Sequence, residues 1–276
     1  MIAILAGIAG VASLLCAFQK PFREYAGQEY NNFPVPADYQ ERTEFVFARM
    51  MHPDAARGIG GFGFGRGRRG GGDWREGYTW WTNDYPRADR HLLLALRRLT
   101  RIHVRSVEQA VNPENADDLF DWPFLYSTSW YWDLTDRQVA MLREYLARGG
   151  FLICDDFWGD RGWAAFWAAM SKVLPGRSAD DLPDNDPAFH TVYDLDHRYQ
   201  ISGQWSLRSG VPYLENGVVP HWRGIRDDQG RLMVAIWFNN DTGDSWEWAD
   251  APEYPARYSD LGIRMAVNHI IYAMTH

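Results

Sequence analysis

The sequence predicts a doubly wound α/β fold: a mostly parallel sheet with helices on both faces. Three observations predict it. Short apolar runs of strand length alternate along the chain with segments whose leucines recur at spacings of three and four. With 276 residues and no internal repeat, the chain is long enough for one large domain of this kind. Polar groups follow the apolar runs, at the carboxyl ends of the expected strands, where open α/β sheets bind ligands.

Met1 to Gln19 carry no charged side chain and form an apolar run that fits a secretory signal or a short membrane anchor. Lys20 and Arg23 follow the run, as in an anchor whose remainder stays cytoplasmic. Leu14-Leu15-Cys16-Ala17 has Leu15 where a lipoprotein box carries a small residue. Residues 1–19 are assigned as a signal peptide, with a retained membrane anchor as the alternative, so the chain is expected to be secreted or periplasmic. Residues 20–43 are polar, contain prolines and lack a period, and read as a linker or a strap laid on the surface. Residues 44–276 form the single domain.

Glu44 to Arg49 begins that domain as a buried strand. Residues 58–72 are too rich in glycine for helix or strand, and read as a basic loop. Their G-x-G pattern lacks the Gly-Lys-Ser/Thr ending and the following helix of a phosphate-binding loop. From Pro86, the residues Leu92, Leu93, Leu96 and Leu99 mark a helix closed by Thr100. Ile102 to Ser106 alternates like a strand, and Pro123 to Ser129 reads as another. Thr135 and Gln138 form a capping box that opens a helix ending at Gly149-Gly150. Phe151 to Asp156 is a strand ending in two carboxylates, and a helix from about Gly162 to Leu174 stops at Pro175-Gly176. Residues 175–230 are a loop-rich elaboration with short strands expected near Tyr193 to Leu195 and Gly217 to Val219. Leu232 to Phe238 gives the last strand and Tyr258 to Thr275 the last helix.

Composition narrows the function. The net charge of −8 argues against a nucleic-acid partner, since phosphate binding rests on clustered Lys and Arg. Tryptophan is abnormal: 14 Trp accompany 14 Tyr and 14 Phe, a load that packs an aromatic core or lines a gripping surface. Trp74, Trp80, Trp81, Trp130, Trp132, Trp158 and Trp246 fall in loops after strands, while Trp167 and Trp237 fall within regular elements. The strand-end rule selects Arg49, Asp73 and Trp74, Ser127 to Ser129, Asp155 and Asp156, and Asn239 to Asp241.

Phe47-Ala48-Arg49, Gly71-Gly72-Asp73-Trp74, Trp122-Pro123-Phe124-Leu125-Tyr126, Leu142-Arg143-Glu144-Tyr145-Leu146, Gly149-Gly150-Phe151-Leu152 with Asp155-Asp156-Phe157, and Asn268-His269-Ile270-Ile271-Tyr272 occur in this order. From Glu44 to His276 the chain thereby resembles the bacterial family named domain of unknown function 4159. The resemblance implies a class I glutamine amidotransferase-like fold with a flavodoxin-like sheet, and no reaction. Such enzymes carry a nucleophilic Cys on a strained elbow between glycines, and Cys154 falls at the comparable point. Leu152 and Asp156 occupy the glycine positions, and two adjacent carboxylates disfavour a thiolate. Cys154 therefore reads as a buried structural thiol, with a nucleophile as the lesser alternative. His190 and His269 lack the context of a triad histidine.

Asp155 and Asp156 are the stronger catalytic candidates, as a base or metal ligand, although alternation on a strand means that they need not converge. A metal site built on Asp155 and His190 has no ligand spacing in its favour, so no metal and no cofactor are assigned. The ligand-binding set is Arg49, Asp73, Trp74, Trp130, His190, Asn240 and Trp246. The first reading is a domain that binds a polar small molecule or carbohydrate without amidotransferase activity, since aromatic faces stack on sugar rings while carboxylates take hydroxyls. A hydrolase using Asp155 or Asp156 is the second. A structural component with a protein partner in the cell envelope is the third.

Overall fold

Where both faces of a strand are apolar, the sheet must be covered on both sides. The computed structural model describes residues 21–30, 32–55 and 73–276. The apolar leader and the glycine-rich loop at 58–72 lie outside the described residues. The first half of the domain runs β1 (Ala48–Met50), α1 (Arg87–Leu99), β2 (Gln109–Val111), α2 (Ala116–Leu119), β3 (Phe124–Thr128), α3 (Asp136–Ala147) and β4 (Phe151–Asp155). It continues with α4 (Gly159–Val173), β5 (Asp180–Asp181), α5 (Gln204–Ser209), β6 (His221–Arg226), β7 (Leu232–Phe238), α6 (Thr242–Glu247) and α7 (Ala256–Thr275).

The strands form one seven-stranded sheet in the order β2-β1-β3-β4-β7-β6-β5. The first five in that order are parallel, and β6 and β5 add an antiparallel edge. Alternation sends Phe47, Phe124, Phe151, Ile153 and Trp237 to one face, where they meet Leu92 and Leu96 of α1 and Met265 and Ile270 of α7. Ala48, Leu125, Leu152, Cys154 and Ile236 point the other way, against Leu142 of α3 and Phe166 and Met170 of α4. The chain leaves β1 for β2 on one side and returns to β3 on the other. The carboxyl ends of β1 and β3 therefore diverge into a crevice.

The capping box at α3 forms as expected, with Gln138 N donating to Thr135 Oγ1 (3.1 Å) and Thr135 N to Gln138 Oε1 (3.2 Å). Gly149 ends the turn after α3 at φ 104°, a conformation that suits glycine. Other expectations are corrected. Of Ile102 to Ser106 only Val104 pairs, in an isolated bridge to Phe45, and the strand beside β1 is Gln109–Val111. Past that bridge, where Arg105 N still donates to Phe45 O, the chain bends and the buried Arg105 guanidinium binds Val107 O and Gln109 Oε1. Tyr193 to Leu195 is not a strand, because the Asn268 side chain takes Val192 N and Tyr193 N and returns a bond to Tyr193 O. Val218 and Val219 are 55% and 59% exposed and lie in an irregular segment just after a turn rather than in a strand. Helix α4 starts at Gly159 rather than Gly162, because Asn239 Oδ1 and Asn216 Oδ1 accept from Gly159 N and Asp160 N.

Candidate functional site

Most of the polar groups that sequence placed at strand ends hold the fold together. Arg49 is fully buried, makes a two-toothed ion pair with Asp89 (2.6 and 2.8 Å), and donates to Trp81 O and Asn83 O. Asp155 is fully buried and accepts from Tyr126 Oη (2.9 Å), Gly243 N (2.9 Å) and Thr242 N (3.3 Å), which fastens β3 and α6 to β4. Burial pushes its carboxyl up to about 6 against the pull of those donors. Asn240 is spent on Ile201 N and Phe238 O. Cys154 faces the α3–α4 core, and burial drives its thiol far above the range of a nucleophile.

Asp73, Asp155 and His190 do not share a site. Asp73 caps a single turn at Trp74–Glu76 and pairs with Arg75 on the surface. The His190 ring lies between Asp194 Oδ1 (3.0 Å) and Asp184 O (2.8 Å), beside the residues that dock on α7. The tryptophans also divide differently. Trp74, Trp81, Trp132, Trp158 and Trp246 are buried, the last against Phe47, Tyr126 and Trp237. Trp80 and Trp130 remain partly open. Large rings near a strand end gain most by covering the sheet's end, so loop position does not imply a free face.

A carboxylate cluster forms instead between the loop before α1 and the start of α6. Asp84, Asp241 and Asp244, all buried, each present an oxygen within 4.8 Å of the others. Asp84 also groups with Glu247 and with Glu29 from the strap, and Asp84 N donates to Glu29 Oε2 (3.1 Å). Asp156, just past the end of β4, joins through Asn83, whose Nδ2 reaches Asp84 Oδ1 (2.6 Å) and Asp156 Oδ2 (3.3 Å). Asp84 and Asp156 sit at φ 60° and 52°, left-handed conformations that cost a non-glycine residue about 1–3 kcal/mol.

Electrostatics makes this cluster unstable as a set of bare anions. Two ionised carboxylates within 4.8 Å repel by at least about 3 kcal/mol at an effective dielectric constant of 20. Burial, reinforced by the neighbouring carboxylates, lifts Asp84, Asp156 and Asp241 well above the usual range and Glu247 to about 10. Such a group holds protons or a cation. Its all-oxygen donors suit a hard metal ion.

Beside the cluster, the open ends of β1 and β3 carry aromatic rings. Trp80 packs on Tyr131 (ring centroids 5.0 Å apart), and Tyr131 stacks on Trp130 (5.5 Å, 10° between planes). Tyr131 stands at φ 67°, and Thr128 Oγ1 ties the crevice to Trp80 O (2.8 Å). Under them, buried His52 spans Pro53 O and Thr128 O. Along the same edge of the sheet, a groove of about 330 Å³ is lined by Asp160, Trp163, Asn216, His221, Arg223 and Asn239. Arg161 pairs with Glu215, its charge held up by Glu215 and more weakly by Tyr131. Sequence reasoning selected Trp130 and weighed Trp80, but had no local signal for Tyr131, Asp84 or Glu29.

A mostly parallel α/β sheet, ending in a buried acidic cluster and a partly open aromatic edge, defines the class of protein. Within it, the chain belongs to the family described as domain of unknown function (DUF4159), whose model matches residues 74–274. The strap that supplies Glu29 precedes the matched residues. No curated protein matches the chain.

Proposed function

We propose that this domain binds a polar, hydroxyl-rich ligand of the carbohydrate class at the carboxyl ends of β1 and β3. The carrying observation is the Trp80–Tyr131–Trp130 ladder, three partly open rings in contact at the point where strand order reverses. Stacked rings offer flat apolar faces to a pyranose, and the groove beside them supplies amides, a carboxylate and a guanidinium for its hydroxyls. A left-handed tyrosine is costly, and strain of this kind collects at binding sites.

The strand order supports a flavodoxin-like, doubly wound arrangement and, with it, an amidotransferase-like scaffold. The buried Cys154 supports a scaffold without amidotransferase activity. A secreted or envelope-associated location rests on the uncharged run of residues 1–19.

The test is a titration of tryptophan fluorescence and heat of binding against a panel of oligosaccharides. Saturable binding that Trp80→Ala and Tyr131→Ala each weaken at least tenfold is expected, as removal of a stacking ring costs about 1.4 kcal/mol or more. Silence across the whole panel would reject the reading. A hydrolase using Asp155 or Asp156 as base or metal ligand is the second reading, and Asp156 favours it: it is a buried carboxyl whose pKa burial and neighbouring acids raise, beside the acidic cluster at a strand end. In that case Asp156→Asn abolishes turnover of a bound glycan while its affinity persists.

A further inference from the structure

We infer that Asp84, Asp241 and Asp244 form a binding site for a hard divalent cation, of the magnesium, manganese or calcium class, at the buried junction of the loop before α1 with the start of α6. The inference goes beyond the saccharide reading and does not need it.

Geometry is the first ground. Oxygens bound to one such ion at 2.0–2.6 Å lie no more than about 4–5 Å apart. The triad meets this limit, with an oxygen from each residue within 4.8 Å of the others. The side chains are held by bonds that do not use every oxygen. Asp241 Oδ1 accepts from Asp244 N (3.1 Å), Asp244 Oδ2 from Gln204 N (2.5 Å), and Asp84 Oδ1 from Asn83 Nδ2.

The second ground is an orphan atom. Asp84 is 1% exposed, and its Oδ2 has no hydrogen-bond donor among the described residues. A buried carboxylate oxygen left bare costs on the order of 1–3 kcal/mol or more, so native proteins rarely keep one without a ligand. Thr242 Oγ1, between Asp241 and Asp244 in sequence, is likewise buried and unpartnered. Glycines keep side chains away from these oxygens: a Cβ at Gly243 would collide with Asp84 Oδ2, and one at Gly203 with Asp241 Oδ2.

Charge is the third. The nearby guanidinium of Arg49 is committed to Asp89, and that of Arg87 to Asp250 and Tyr30. Among the described residues neither forms an ion pair with the triad, so a cation would supply the missing charge. Carboxylates alone, with no histidine or thiolate, select a hard ion over zinc or copper.

The test uses the full chain, stripped with EDTA and melted in the presence of calcium, magnesium or manganese chloride alone, with no saccharide. At about a hundredfold excess over the dissociation constant, at least one of these ions should raise Tm by roughly 5–10 °C. Asp84→Asn and Asp244→Asn should each remove the rise. Without metal, Asp84→Asn should melt no lower than the wild type, because the amide keeps the carboxyl's shape and adds no charge to the acidic cluster; this separates a lost ligand from a lost fold. Asp73→Asn, at an exposed acid outside the cluster, should respond like the wild type. Failure of all three ions to shift Tm, or a full shift retained in Asp84→Asn, would overturn the inference.

Discussion

His269 makes the pH dependence of stability calculable. It lies on α7, fully buried, with rings of Trp237, Phe189 and Phe151 at 5.2, 5.8 and 6.3 Å. Its Nδ1 donates to Met265 O (2.8 Å), and Nε2 has no partner among the described residues, so the ring is neutral and a second proton would enter an aromatic pocket. Burial lowers its pKa from 6.5 to about 4. The unfolded chain therefore binds a proton that the folded chain refuses between those values, and stability rises with pH across the window. The contribution is complete above about pH 6.5 and is lost as pH falls toward 4. At about 1.4 kcal/mol per pKa unit, lowering pH from 7.5 to 4.5 removes roughly 2–3 kcal/mol through this residue alone. Asp84 and Asp241 contribute with the opposite sign, since their pKa values are raised, so wild type must be compared with His269→Phe at each pH. The difference in unfolding free energy from urea titrations should move by about 2–3 kcal/mol in favour of the variant between pH 7.5 and 4.5. A difference that stays constant within about 0.5 kcal/mol would refute the reasoning, because each extrapolation carries only a 10–15% uncertainty.

Arg49→Met should destabilise the domain by about 3–5 kcal/mol in the same assay, because it strands the Asp89 carboxylate in the core. Pairing it with Asp89→Leu should recover much of that loss, and a single variant as stable as the wild type would contradict the buried pair. Cys154 should resist alkylation by iodoacetamide in the native protein and react after unfolding in urea, as measured by mass spectrometry. Rapid native labelling would reopen the case for a nucleophile.

The structure shows which local signals were trustworthy. Thr135 and Gln138 announced their helix because a capping box is satisfied within four consecutive residues. The leucines of α1 and the apolar runs of β3, β4 and β7 were legible for a similar reason: a fully covered strand or helix face must be apolar along its length. Residues Gln109–Val111 were not, because a strand of this length has too few side chains to show a period. Around 193–195 and 217–219, β-branched and apolar residues suggested strands, but side chains of Asn268 and Asn239, from distant elements, bind that backbone instead.

By itself the sequence determined the α/β class and the order of its main elements, since both follow from the periodicity of apolar residues. Only the tertiary structure decided which strand-end groups are structural. Arg49, Asp155 and Asn240 became anchors because the elements they join arrive from elsewhere in the chain. The cluster at Asp84 was equally invisible locally: Glu29, Asp84, Asp156, Asp241 and Asp244 come from the strap, the loop before α1, just past the end of β4 and the start of α6. Each is an ordinary acid in its own segment. Their repulsion, and the attraction for a cation that follows from it, exists only once folding brings them within a few ångströms.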